Sequence, residues 1–184
     1  MNLADKVAVV TGASKGIGLA VSQAFAAAGA HVVAGARHNS PALQALEAAG
    51  SATFVAADLS TPEGPRALVA AAAERGRIDV LVNNAGAVTP RFDGILSVSD
   101  EDWDAALSLN FLSAVRVTRE ALPHMVSGGG GSIVMIGSVN ATLPEWNIVD
   151  YCASKAALAN FAKSVSKEFG PKGIRVNTVS PGPV

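Results

Sequence analysis

Short β-branched runs alternate with longer amphipathic stretches along this chain. Lys6–Thr11 (KVAVVT) is apolar after its first residue and has no period-2 alternation, the pattern of a strand covered on both faces. Ile17, Val21, Ala24, Phe25 and Ala28 then recur at helical spacing, and Gly29 supplies a stop. His31–Ala36 returns to the strand pattern. The alternation continues with a helix over Ser40–Ala49, where Ser40 is an N-cap and Pro41 a first-turn proline, and a strand over Ala52–Ala56. Beyond these the pattern predicts a helix over Pro62–Arg75, a strand over Ile78–Val82 and a long helix over Asp100–Val126. Gly128–Gly131 reads as a turn, Ser132–Ile136 as a strand, Val149–Phe169 as a second long helix and Gly173–Val179 as a sixth strand. Strands separated by helices are parallel, because the crossover returns the chain to the same end of the sheet. The expected fold is therefore α/β: a Rossmann-like, doubly wound parallel sheet in the order 3-2-1-4-5-6, with helices on both faces. No stretch reads as a linker, so residues 1–184 are expected to form one domain.

Open sheets of this kind bind ligands at the carboxyl ends of their strands, and the chemistry-bearing residues fall there. Gly12, Gly16 and Gly18 lie between the first strand and the first helix, with Ser14, Lys15 and Ile17 among them. Missing side chains let a backbone amide cluster and a helix N-terminus approach a pyrophosphate; a tight turn with nothing bound is the plainer reading. The second strand ends at Ala36-Arg37, without the carboxylate that commonly meets an NAD ribose. Arg37 and Lys15 offer positive charge for a 2′-phosphate, which favours NADP(H) over NAD(H) as cofactor. Asp58, followed by Leu59, can accept from an adenine amino group or cap the next helix. Asn83-Asn84-Ala85-Gly86 follows the fourth strand with small residues that leave room for a nucleotide, though turn chemistry alone also explains them.

Asn110 interrupts the apolar stripe of the first long helix, where an amide needs partners. It is either a helix irregularity satisfied by backbone or a residue whose carbonyl is freed to hold a water. Ser138 ends the fifth strand and can donate to a substrate oxygen or cap a turn; it lacks the G-x-S-x-G setting of a hydrolase nucleophile. Tyr151 and Lys155 stand four apart at the head of the second long helix, hence on one face. A fixed ammonium near a phenol favours the phenolate and suits it to proton transfer.

Composition narrows the partners. Net charge is −1 with no basic cluster, which gives no footprint for nucleic acid or an anionic membrane. The single cysteine excludes an internal disulfide framework and suits a cytoplasmic setting. No apolar run reaches membrane-spanning length, and the scattered His31, His38 and His124 give no metal-ligand spacing.

Taken together, TGASKGIG (Thr11–Gly18), NNAG (Asn83–Gly86), Asn110, Ser138, YCASK (Tyr151–Lys155) and SPGPV (Ser180–Val184) resemble the short-chain dehydrogenase/reductase family, over nearly the whole chain and in that family's order. The resemblance implies hydride transfer at the nicotinamide between a secondary alcohol and a ketone. Tyr151 would be the general acid/base, and Lys155 would lower its pKa and bond the nicotinamide ribose. Ser138 would orient the carbonyl and Asn110 anchor a relay water. Pro181 and Gly182 would complete the cofactor site. The resemblance also implies a homodimer or homotetramer through the two long helices. Members usually continue past the proline-glycine turn with a substrate-covering segment, another helix and a seventh strand. On that comparison the chain is expected to be incomplete at its C-terminus, and a dinucleotide-binding protein without turnover is the alternative function. What remains of a substrate wall is expected at Thr89–Phe92, Val139–Asn140 and Pro144–Asn147.

Overall fold

A computed structural model describes residues 2–182. One sheet holds six strands in the order β3-β2-β1-β4-β5-β6, all neighbours parallel. They are β1 (Val7–Thr11), β2 (His31–Ala36), β3 (Ala52–Ala56), β4 (Val80–Asn83), β5 (Gly131–Ile136) and β6 (Ile174–Val179). The helices between them are α1 (Gly16–Ala27), α2 (Pro41–Ala48), α3 (Glu63–Ala73), α4 (Asp100–Leu107), α5 (Ser113–Ser127) and α6 (Val149–Phe169). Order and direction match the sequence pattern.

Successive strand residues supply opposite faces, and each face has its own core. On one side Val7, Val9 and Val33 meet Leu68 of α3, Val117 and Met125 of α5, and Leu158 of α6. On the other, Val10, Val32 and Ala34 meet Leu43 of α2, with Ile17, Val21 and Phe25 of α1 packed against them. Removing a large side chain from such a core costs about 2–5 kcal/mol.

Helix ends follow the expected chemistry. Ser40 Oγ accepts the Leu43 amide and Pro41 opens α2. Ser99 and Asp102 form a reciprocal capping box at the head of α4. The long helix expected over Asp100–Val126 differs in its middle: Ser108–Leu112 is a π-helical turn separating α4 from α5. The wider turn brings Asn110 inward to 2% exposure, and the Ser113 hydroxyl donates to the Leu109 carbonyl at 2.5 Å. Gly131, read as part of the glycine turn, is the first residue of β5 and pairs with Ile174. Among the described residues no helix is long and apolar enough to cross a membrane.

Candidate active site

Parallel register places the carboxyl ends of all six strands along one rim, and the motifs converge there. A cavity of about 700 Å³ runs along it. The glycine turn, Ala36-Arg37, Asp58-Leu59, Asn84–Gly86, Ser138, Tyr151, Lys155, Pro181 and Gly182 all line it.

The glycine turn is held from β4. Asn84 Nδ2 donates to the carbonyls of Thr11 and Gly12 at 2.9 and 3.2 Å, while the Thr11 hydroxyl accepts the Asn84 and Ala85 amides. Gly18 must be glycine, because a Cβ would stand 2.3 Å from the Gly12 carbonyl oxygen. Gly16 has φ +53° and faces open space. At the start of α1 no side chain caps the helix and no acidic residue occupies the first turn. Its amides and positive dipole end therefore face the cavity without a protein anion, a setting that suits an anionic ligand.

At one end of the cavity lie Arg37, exposed, and Asp58. Asp58 does not cap α3, whose N-cap is Pro62. Its Oδ1 accepts the Ser60 hydroxyl and amide at 2.7 and 3.0 Å, and these bonds, with a smaller pull from Arg37, hold the carboxyl below its usual range. An Asx turn is the local cause: the carboxylate bonds its own backbone two residues on before helical geometry begins.

At the other end stand the acid/base candidates. Lys155 is 3% exposed, its Nζ donating to the Ile136 carbonyl at 2.8 Å and lying 5.7 Å from the centre of the Tyr151 ring. Burial pushes the Lys155 ammonium down to about 8. Gly86 packs where a Cβ would lie 2.8 Å from Asn110 Oδ1 and 3.4 Å from Lys155 Nζ, so a glycine is what lets the three meet. Asn110 Oδ1 accepts the Ala87 amide at 2.8 Å and braces the loop after β4. Ser138 is buried at the end of β5; its Oγ accepts the Asn140 amide and donates to Asn140 Oδ1 at 3.2 Å. It thus caps the following turn while lining the same cavity as Tyr151 and Lys155.

None of the expected substrate wall, Thr89–Phe92, Val139–Asn140 and Pro144–Asn147, lines the cavity. Val88 and Leu109 line the cavity, whereas Phe92 and Trp146 lie outside it at 71% and 65% exposure. Sequence reading did not single out Thr11 as the brace of the glycine turn, because a threonine ending a strand has no distinguishing pattern. It also missed the ion pair of the buried Asp150 with the half-buried Arg91, which are 59 residues apart in the chain.

The family described as short chain dehydrogenase matches residues 6–184. Dehydrogenase/reductase SDR family member 4 of Homo sapiens is 39% identical, across 98% of this chain and 66% of its own length. The 3-oxoacyl-acyl-carrier-protein reductase FabG of Vibrio cholerae is 35% identical, across 99% of this chain and 75% of its own. The solved structure of L-sorbose reductase from Gluconobacter frateurii, complexed with NADPH and L-sorbose, superposes with a TM-score of 0.92 at 38% identity, across 98% of this chain and 70% of that one. The chain thus spans about two thirds of the length of the human relative.

Proposed function

The chain belongs to the short-chain dehydrogenase family of oxidoreductases, and from that premise we propose that it uses NADP(H) to interconvert a secondary alcohol and a ketone. The observation that carries this reading is the shared cavity: Ser138, Tyr151 and Lys155 line it together with the glycine turn.

Gly12–Gly18 and the free amides of α1 would hold the pyrophosphate, and Arg37 with Lys15 a 2′-phosphate. The absence of a carboxylate at Ala36 and the NADPH carried by the sorbose reductase support that preference. Leu59, Asn84, Ala85, Pro181 and Gly182 would wall the nucleotide, and Lys155 would meet the nicotinamide ribose. When bound, the nicotinamide supplies or accepts the hydride.

The protein's own residues manage the proton and the geometry. Tyr151 is the general acid/base: in reduction its hydroxyl proton passes to the carbonyl oxygen, and in oxidation the phenolate takes it back. Ser138 donates to the same oxygen, for which its hydroxyl turns away from Asn140 Oδ1. Lys155, held by the Ile136 carbonyl, keeps a positive charge on the Tyr151 side of the cavity. Asn110 steadies the loop after β4 through Ala87, and on the family's pattern it would anchor a relay water. Helices α5 and α6 flank a second cavity of about 580 Å³ with Leu122, Phe161, Val165 and Phe169 in its lining, which supports a homodimer or homotetramer through this face.

The test is a titration of NADPH and NADH followed by turnover with a panel of ketones. Tyr151→Phe is expected to abolish turnover and leave NADPH affinity unchanged, and Arg37→Asp to move preference toward NADH. NADPH binding with no reduction of any ketone by the unaltered chain overturns the enzymatic reading. An unchanged cofactor ratio in Arg37→Asp overturns the phosphate role.

A further inference from the structure

Arg91 lies in the loop after β4, outside the cavity lining, yet it pairs with two carboxylates, Asp102 and Asp150. Its Nη2 and Nε donate to Asp150 Oδ2 at 2.9 and 3.3 Å, and its Nη1 pairs with Asp102 Oδ1 at 2.9 Å. Its own amide donates to the Asn147 carbonyl at 2.6 Å. Asp150 is 2% exposed, and its second oxygen accepts the backbone amide of Tyr151 at 2.9 Å. One carboxylate therefore joins a guanidinium to the main chain of the residue that carries the phenol.

We infer that Arg91 is a positioning residue for Tyr151, acting through Asp150. The inference rests on the reading of Tyr151 as the general acid/base. A carboxylate this buried is strongly destabilising without a cationic partner, so the first turn of α6 depends on Arg91 for its place. Asp102 sits in the capping box of α4, and the pair with it ties the head of that helix into the same clasp. Tyr151 is the third residue of α6, so the reach of its phenol is set by that first turn. Small displacements of a reacting group carry large rate penalties, on the order of a hundredfold for 1 Å. The contrast is Arg66 with Glu120, 3.7 Å apart and well exposed, a surface pair of little consequence.

Tyr151 is the single tyrosine of the chain, which gives the test a readout independent of turnover. Arg91→Met, Arg91→Lys and Asp150→Asn are compared with the unaltered chain in three measurements: kcat with a reducible ketone, NADPH affinity by fluorescence titration, and the NMR signal of ring-labelled tyrosine. Arg91→Met is expected to lower kcat about tenfold or more, to keep NADPH affinity within about twofold, and to move the tyrosine signal. Arg91→Lys, which restores the charge, recovers part of the kcat and returns the signal toward its original position. Asp150→Asn, close in shape to the native residue, gives the pattern of Arg91→Met and serves if that variant does not fold. Arg77→Met, which breaks the pair with Asp79 at the opposite end of the sheet, leaves the signal in place. An unmoved tyrosine signal in Arg91→Met and Asp150→Asn overturns the inference, as does a kcat loss matched by an equal loss of NADPH affinity. If the unaltered chain reduces no ketone, the functional reading fails and the tyrosine signal alone decides on Arg91.

Discussion

Lys155 is the residue on which folding and chemistry meet most directly. Its ammonium is buried against the Ile136 carbonyl, and burial lowers its pKa from 10.5 to about 8. Between those values the unfolded chain binds the proton and the folded chain does not. Stability from this group therefore rises with pH from about 8 to about 10.5, by a total of about 3 kcal/mol. Below pH 8 both states are charged and the folded state bears the full burial penalty. Lys155→Met is expected to remove that rise. In urea unfolding at pH 7.5 and pH 10.5, the variant's stability relative to the native chain is greater at the lower pH; an equal difference at both would mean that the ammonium is not buried in solution. The same lysine illustrates what is legible at this scale. Tyr151 and Lys155 are readable as a pair because helical spacing alone puts them on one face. Arg91 and Asp150 are not, because loop conformation decides their meeting and no spacing rule spans it. Asp58 is intermediate: its type announces a local capping role, while its partner, Ser60 rather than the α3 amides, depends on where the helix begins.

Among the elements, the strands and most helices were readable because their apolar periods differ, near-continuous in parallel strands and close to 3.6 in helices. The π turn at Ser108–Leu112 was not, since apolar residues keep α-helical spacing on both sides of it, from Trp103 and Leu107 to Ala114 and Val117. The polar Asn110 on that stripe was the visible sign, and a buried amide pointing to Ala87 is its physical counterpart. The junction of β1 and α1 is a sharper case. Gly18 is a helical residue, so its place in the turn is a matter of space: a Cβ would come within 2.3 Å of the Gly12 oxygen and 2.5 Å of Asn84 Nδ2. Gly18→Ala is therefore expected to push α1 away from the turn that Asn84 braces. Overpacking of this kind costs about 1–3 kcal/mol. Thermal unfolding should report that loss, and NADPH titration a weaker complex; a variant of native stability and native affinity would mean that the helix is free to move aside.

Across the whole molecule, the parallel order sets every strand's carboxyl end on one rim, which is why motifs distant in sequence share one cavity. The two faces of the sheet differ in what they leave outside. α1 and α2 cover one with Ile17, Val21, Phe25 and Leu43, while α5 and α6 present an outer groove lined in part by Leu122, Phe161 and Val165. Phe161 is also fixed from within, edge-on to Phe111 at 6.2 Å, so changing it would disturb the core as well as the groove. Val126 is the better probe, because it lines the groove, is 37% exposed and sits in the last turn of α5. If the chain pairs through this face, a carboxylate at this position is buried without a partner and costs several kcal/mol of association. It also lies at a helix C-terminus, where negative charge is disfavoured by a few tenths of a kcal/mol in the isolated chain. Val126→Glu is therefore expected to shift sedimentation from dimer or tetramer to monomer while thermal unfolding at low protein concentration changes little. A variant that keeps the native assembly would place the contact elsewhere, and a native chain that sediments as a monomer at micromolar concentration would overturn the pairing.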